Sequence, residues 1–279
     1  LLPIVENLMA GEVESASFKE AQEPYAVILA PTRELALQIY NEAKKFTHGT
    51  IIRSCVAYGG VSVGHHLRDL DKGCHILVAA PGRMHDFVRR GKLSFTKLKY
   101  YVLDEADRML DTGFRGGVEE FAKLWKSDEQ GNRHILMFSA TFPQDVQELA
   151  RKLLKPDYLF LTVGSIGAAN TDVEQVILQV PKLKKLDTVK SLISDDCDRT
   201  LVFVELKKTA DFLGANFSLT LTKSTTIHGD RTQEQREDAL HTFRSGEMKV
   251  LVATSVAARG LDIQDVRHVI NYDLPKTIE

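Results

Sequence analysis

The stretch YYVLDEADRML, residues Tyr100–Leu110, decides how this chain is read. Four apolar or aromatic residues run straight into Asp104, Glu105, Ala106 and Asp107. A short continuous apolar run of this kind is how a strand buried on both faces reads. The acidic turn then lies at the carboxyl end of the strand, where open α/β sheets bind ligands. Asp104 in that position suits an NTPase that holds Mg²⁺ against nucleotide phosphates. It suits the cap of a helix at 106–110 as well. The stretch alone leaves both readings open.

The same rhythm repeats outward in both directions. YAVILA (25–30) leads into PTREL, HILVAA (75–80) into PGR, and HILMF (134–138) into SAT. Further on, TLVFV (200–204) leads into ELKK, TTI (225–227) into HGD, and KVLVA (249–253) into TSVAARG, with RHVINY (267–272) last. Between the runs lie helical patterns. Leu35, Ile39, Ala43 and Phe46 share one face, as do Ala239, Leu240 and Phe243, with Gly246 as a stop. Alternating strand and helix predicts an α/β fold with parallel sheets. The rhythm breaks at TVGSIGAANTDVEQ (162–175), whose Gly, Ala and Asn residues read as an interdomain linker. The expected organisation is a first domain over 1–163, a linker over 164–175 and a second domain over 176–279, with VEQVILQV opening the second sheet.

Bulk properties narrow the class. The chain has 279 residues, 43% hydrophobic and 27% charged, as in ordinary globular protein. No apolar run is long enough to cross a membrane, and the opening LLPIVENL is not expected to act as a secretory start. Cys55, Cys74 and Cys197 are scattered, which favours reduced thiols over a disulfide frame or zinc site. A net charge of −2 argues against a broad basic surface gripping a duplex through many phosphates. Nucleic-acid contact, if made, is local.

Each remaining polar turn has a structural alternative beside its functional reading. Ser139 and Thr141 of SAT can simply satisfy backbone groups. Pro31, Thr32 and Arg33 start a helix whose free amides favour anions, and APGR repeats the arrangement at Ala80–Arg83. One such turn is usually only a turn; two on one face suit a nucleic-acid backbone. Gly59 and Gly64 have the outer spacing of a P-loop, but His65 and His66 follow where Lys and Ser or Thr are needed. Those adjacent histidines point about 100° apart on a helix, so they are poor co-ligands and are expected to face solvent. His228, Gly229, Asp230 and Arg231 precede a helix carrying Gln233 and Arg236. Thr254, Arg259, Gly260 and Asp262 follow a strand, and Asp262 can pair with Arg259 or meet a ligand hydroxyl.

In order, these clusters resemble the DEAD-box family of ATP-dependent RNA helicases, in superfamily 2. The matching stretches are PTRELA (31–36), GG (59–60), APGR (80–83), DEAD (104–107), SAT (139–141), LVFVE (201–205), HGD (228–230), QEQR (233–236), ATSVAARGLDI (253–263) and HVINYDLP (268–275). FKEAQEPYAVILAPTREL, SATFP, VEQVILQV and ATSVAARGLDI are most similar to the Vasa subfamily, with the DED1-type helicases next. The resemblance implies two RecA-like domains, each a parallel sheet flanked by helices, around an ATP site with RNA across both. Asp104 would hold Mg²⁺ through water and Glu105 would orient the attacking water. Asp107 would join Ser139 and Thr141, coupling hydrolysis to RNA. Gly260 and Asp262 would meet the nucleotide. Pro31, Thr32, Arg33, Gly60, Gly82, Arg83, Gly229, Asp230, Gln233, Arg236, Thr254 and Gly260 would touch RNA backbone, and RMHDFVRR (83–90) matches the wedge that bends one strand.

The resemblance also sets departures. LLPI would directly follow the P-loop, and DLPKTIE would stop before the arginine fingers, so both domains are expected to be truncated and this piece to lack turnover by itself. Ala80 stands where a hydroxyl residue is usual, and Leu206 where Thr is usual. The expected activity of the parent is RNA-stimulated ATP hydrolysis that unwinds short duplexes or remodels RNA–protein complexes. The expected protein is a monomer in the cytoplasm, in germ granules by analogy, with the nucleus as the other compartment. The alternatives are an ATP-gated RNA clamp or scaffold, and a DNA translocase on the same plan.

Overall fold

The computed structural model describes residues 1–11, 13–111, 113–114, 116–118, 121, 133–164, 172–193, 199–219, 223–254 and 263–274. The chain divides into two compact units, Leu1–Thr171 and Asp172–Glu279. Most of the expected linker, with Gly260 and Asp262, lies outside the described residues.

In the first unit the strands are β1 (Ala26–Leu29), β2 (Ser54–Ala57), β3 (Ile76–Ala79), β4 (Tyr100–Leu103) and β5 (His134–Met137). They form one parallel sheet in the order β2-β3-β1-β4-β5. Every residue of β1 and β3 is buried, which is why those segments read as unbroken apolar runs. Its helices include α1 (Leu2–Ala10), α2 (Arg33–Phe46), α3 (Val63–Leu70), α4 (Pro81–Arg89), α5 (Ala106–Asp111) and α6 (Gln144–Leu153). One core layer joins Leu29, Leu77, Tyr101 and Leu103 to Phe87, Met109 and Leu149. The opposite layer packs Ile28, Ile76 and Val78 against Ile4, Leu8 and Leu35. On α2, Leu35 and Ala43 are buried as the spacing predicts, while Phe46 at its last turn is exposed.

The second unit repeats the plan. Its strands β6 (Thr200–Val204), β7 (Ser224–Ile227), β8 (Val250–Thr254) and β9 (His268–Asn271) form a parallel sheet in the order β7-β8-β6-β9. Its helices are α7 (Lys185–Leu192), α8 (Lys207–Leu219) and α9 (Gln233–Arg244), with a short 3₁₀ turn at Lys182–Lys184. Ala239, Leu240 and Phe243 of α9 are buried, and Gly246 after it takes φ +80°, a left-handed stop that glycine adopts without strain. Two parallel sheets flanked by helices are the predicted α/β class.

Two expectations are corrected. VEQVILQV (173–180) forms no strand: Val176 and Ile177 are exposed and lie outside both sheets. Strand character needs a neighbouring edge to pair with, and apolar residues alone do not supply one. His66 is buried, at 4% exposure, whereas His65 is exposed. The 100° offset between successive helical residues turns one ring outward and the other inward.

Candidate active site and nucleic-acid interface

Strand register places the predicted clusters on one edge of the first sheet. Leu29 pairs with Ala79 and with Leu103, Ala79 with Ala57, and Leu103 with Met137. The residues just beyond are Ala30, Tyr58, Ala80, Asp104 and Phe138, so the polar turns leave the sheet side by side. Backbone bonds continue the ladder one step: Asp104 N–H donates to Leu29 O at 3.0 Å and Phe138 N–H to Leu103 O at 2.8 Å.

At the end of β4, Asp104 Oδ1 accepts the Glu105 N–H at 3.0 Å. Glu105 has φ +50°, a left-handed backbone that costs a non-glycine residue about 1–2 kcal/mol. Such strain concentrates where a turn has a task. The Glu105 carboxylate is held from one turn along α5 by Arg108 Nη1, at 3.1 and 3.3 Å. Burial raises the Asp104 and Glu105 carboxyls above their ordinary range, and the Arg108 charge opposes that rise at Glu105. Sequence reading passed over Arg108; its i+3 spacing from Glu105 was the available signal.

Asp107 is the hub of this corner. Its Oδ2 accepts both the N–H and the O–H of Thr141, at 2.9 and 2.8 Å, and its Oδ1 accepts the Arg108 N–H at 3.0 Å. Its own N–H donates to Ser139 Oγ at 3.3 Å. Burial pushes its carboxyl up, yet these donors together bring it below the usual value. The structure therefore joins DEAD and SAT directly, as expected.

A second cluster forms beside it. Thr32 caps α2, its Oγ1 accepting the Leu35 N–H at 3.2 Å. The Arg33 guanidinium lies on Gly60, where φ is +83° and an added Cβ would sit 2.0 Å from Arg33 Nη1. Arg83 Nη2 donates to Val61 O at 3.1 Å, and its guanidinium lies 5.9 Å from the Phe87 ring centre. Among the described residues, buried Arg83 Nη1 has no hydrogen-bond partner. Pro31–Arg33, Gly59–Gly60 and Gly82–Arg83, far apart in sequence, thus converge on one turn. His66 lies beneath it, edge-on to Tyr58 at 4.8 Å. Burial, with Arg83 and His65 nearby, lowers its imidazole to about 4, so it is neutral.

In the second unit, Val204 pairs with Thr254 and Ile227 with Ala253, so Glu205, His228 and Thr254 share the carboxyl edge. Buried His228 contacts Asp211 at 3.0 Å, and Arg231 Nη2 donates to Asp211 and to Thr226 Oγ1, both at 2.8 Å. Thr232 and Gln235 form a capping box on α9, and Gln233 donates to Glu237 at 2.8 Å. Arg236 is on the same helix, one turn after Gln233. Gly229 and Asp230 are exposed and Thr254 is buried.

Comparison with known proteins agrees with this layout. The DEAD/DEAH box helicase family model matches residues 1–149, and the helicase conserved C-terminal domain model matches 184–279. The chain belongs to the DEAD/DEAH box helicase family. Among curated relatives, the probable ATP-dependent RNA helicase DDX4 of Pelophylax lessonae is 50% identical over all of this chain and 39% of its own length. The probable ATP-dependent RNA helicase vasa-like of Penaeus vannamei is 49% identical over all of this chain and 40% of its own length. The chain therefore spans about two-fifths of the length of these relatives. Among solved structures, S. cerevisiae Dbp5 bound to RNA and ADP BeF3 superposes with a TM-score of 0.76 at 30% identity, over 92% of this chain and 64% of the other. Both units are RecA-like, as such helicases are.

Proposed function

We propose that the whole protein carrying this chain is a Vasa-like, ATP-dependent RNA helicase, whose RNA-stimulated ATP hydrolysis opens short duplexes or remodels RNA–protein complexes. The observation that carries the reading is the Asp107 carboxylate that accepts two hydrogen bonds from Thr141, two residues after Glu105 in the first turn of α5. Names of the relatives, and a neighbour bound to RNA and ADP BeF3, support it.

The chemistry follows from the residues. Phosphoryl transfer is catalysed mainly by positioning and by stabilising charge. Glu105, half-buried and made a stronger base by burial, takes a proton from water as that water attacks the terminal phosphorus of ATP and ADP leaves. Mg²⁺ accepts one or two carboxylates and keeps waters and phosphate oxygens around itself. Asp104 fits that demand, because only its Oδ1 has a protein partner among the described residues. Bound there, Mg²⁺ supplies neutralisation of phosphate charge. Gly260 and Asp262 complete the proposed nucleotide contacts.

RNA contacts are proposed at Pro31, Thr32, Arg33, Gly60, Gly82 and Arg83 in the first unit, and at Gly229, Gln233, Arg236, Thr254 and Gly260 in the second, where Asp230 stands beside Gly229. Backbone and glycine contacts suit sequence-independent recognition of phosphate, sugar and 2′-hydroxyl. We read 164–175 as the linker between domains 1–163 and 176–279, and the protein as a cytoplasmic monomer of germ granules. In the whole protein, Glu105→Gln should abolish RNA-stimulated ATPase activity while RNA affinity is kept. Unchanged turnover would refute Glu105 as the base.

A further inference from the structure

Resting on that RNA reading, we propose that Lys207 is the phosphate contact of the second unit's HGD corner and that Asp230 acts there as its positioning residue. Lys207 opens α8, just beyond β6, and Asp230 follows β7. In the sheet order β7-β8-β6, these two strands flank β8. The Lys207 Nζ to Asp230 Oδ1 ion pair therefore reaches across the carboxyl end of β8, above buried Thr254. That is where α/β sheets take ligands.

The end of Lys207 also lies against Gly229: a methyl built there would touch its Cε and Nζ at 3.5 and 3.6 Å. Both partners are open to solvent, with side-chain exposures of 52% and 67%. Exposed ion pairs of this kind contribute little to stability, so folding alone gives a weak reason for the arrangement. Asp230 stays ionised, its carboxyl lowered first by the hydrogen bond from Lys207. A bare carboxylate repels a phosphate. With Lys207 beside it, the same carboxylate instead holds an ammonium on a four-carbon stem at a fixed place on the ligand edge. Lysine is a point charge with three donors, which suits a phosphate approached without base reading.

The test is single-stranded RNA binding by the whole protein, titrated against salt, with four forms: wild type, Lys207→Gln, Asp230→Asn and the double variant. Each phosphate neutralised on a single strand contributes about 0.7 to the slope of log affinity against log salt. Lys207→Gln should lower that slope by about 0.7, and Lys207→Arg should restore it. Removing a carboxylate beside a polyanion strengthens binding on charge alone. Asp230→Asn should instead weaken binding in the wild type and should not weaken it in Lys207→Gln. A wild-type slope in Lys207→Gln overturns the proposal, as does tighter binding by Asp230→Asn or full additivity of the two changes. If Asp230 reads the 2′-hydroxyl directly, Asp230→Asn changes RNA-over-DNA preference even without Lys207, which also overturns it. Loss of RNA binding by the unsubstituted protein rejects the helicase reading itself, a result distinct from RNA binding with an unaltered slope.

Discussion

Replacing Asp107 by Ala tests the junction of the two acidic and hydroxyl turns. The carboxylate accepts three donors, the Thr141 N–H, the Thr141 O–H and the Arg108 N–H. Hydrogen bonds to a charged acceptor contribute about 1.5–3 kcal/mol when buried. Asp107 is only half-buried and Thr141 is exposed, so about 1 kcal/mol each is the appropriate scale after solvent screening. Asp107→Ala should therefore cost the first unit roughly 2–3 kcal/mol near pH 7. The pH dependence has a fixed sign. The folded carboxyl lies below its ordinary value, so its stabilisation is full above that value and fades as pH falls through the folded value. The measurement is urea unfolding at several pH values, followed by amide exchange of residues 101–110 so that only the first unit is read. A gap below about 0.5 kcal/mol at pH 7 would show that these bonds merely replace water. A gap that stays constant from pH 7 to pH 3 would show that the charge of Asp107 is irrelevant to it.

Gly60→Ala should destabilise the first unit by about 1–2 kcal/mol through its left-handed backbone, and should also displace the Arg33 guanidinium. Thermal melting and RNA titration read the two effects separately; unaltered RNA affinity would remove Arg33 on Gly60 from the interface. Phe87→Ala empties a fully buried ring site under Arg83 and should cost about 3–5 kcal/mol, read as a lower urea midpoint. A cost under 1 kcal/mol would mean that the core beneath the turn collapses to fill the gap.

How far the fold was legible depended on how local the cause of each element is. β1, β3 and β4 declare themselves because both faces are buried and the apolar run is unbroken. β2 went unread: Ser54, Cys55, Val56 and Ala57 are small or polar, and only pairing with β3 makes them a strand. The converse error, VEQVILQV, is an apolar segment outside either sheet. His66 was misplaced although the offset used to reject a histidine metal pair already required one ring to turn inward. Side-chain partnerships such as Glu105–Arg108 and Lys207–Asp230 depend on rotamers and on strand order, so residue types alone could nominate but not pair them.

The clusters share one physical device that bears on how a chain of net charge −2 could hold a polyanion. Three cations on these ligand edges are lodged against a feature of their own unit: Arg33 on Gly60, Arg83 on the carbonyl of Val61, and Lys207 on Asp230. A lodged side chain has already given up part of its rotamer freedom, so less is lost when a phosphate arrives. A broad basic surface would add affinity by counterion release from many contacts, with a steep dependence on salt. A few placed cations give a shallower dependence and a fixed backbone path. On the proposed reading, that difference matters for a protein that grips and releases RNA in each cycle of ATP hydrolysis. Affinity built from a few aligned contacts is lost when the turns holding them move. Affinity built from diffuse charge survives such movement and would hold the strand after hydrolysis.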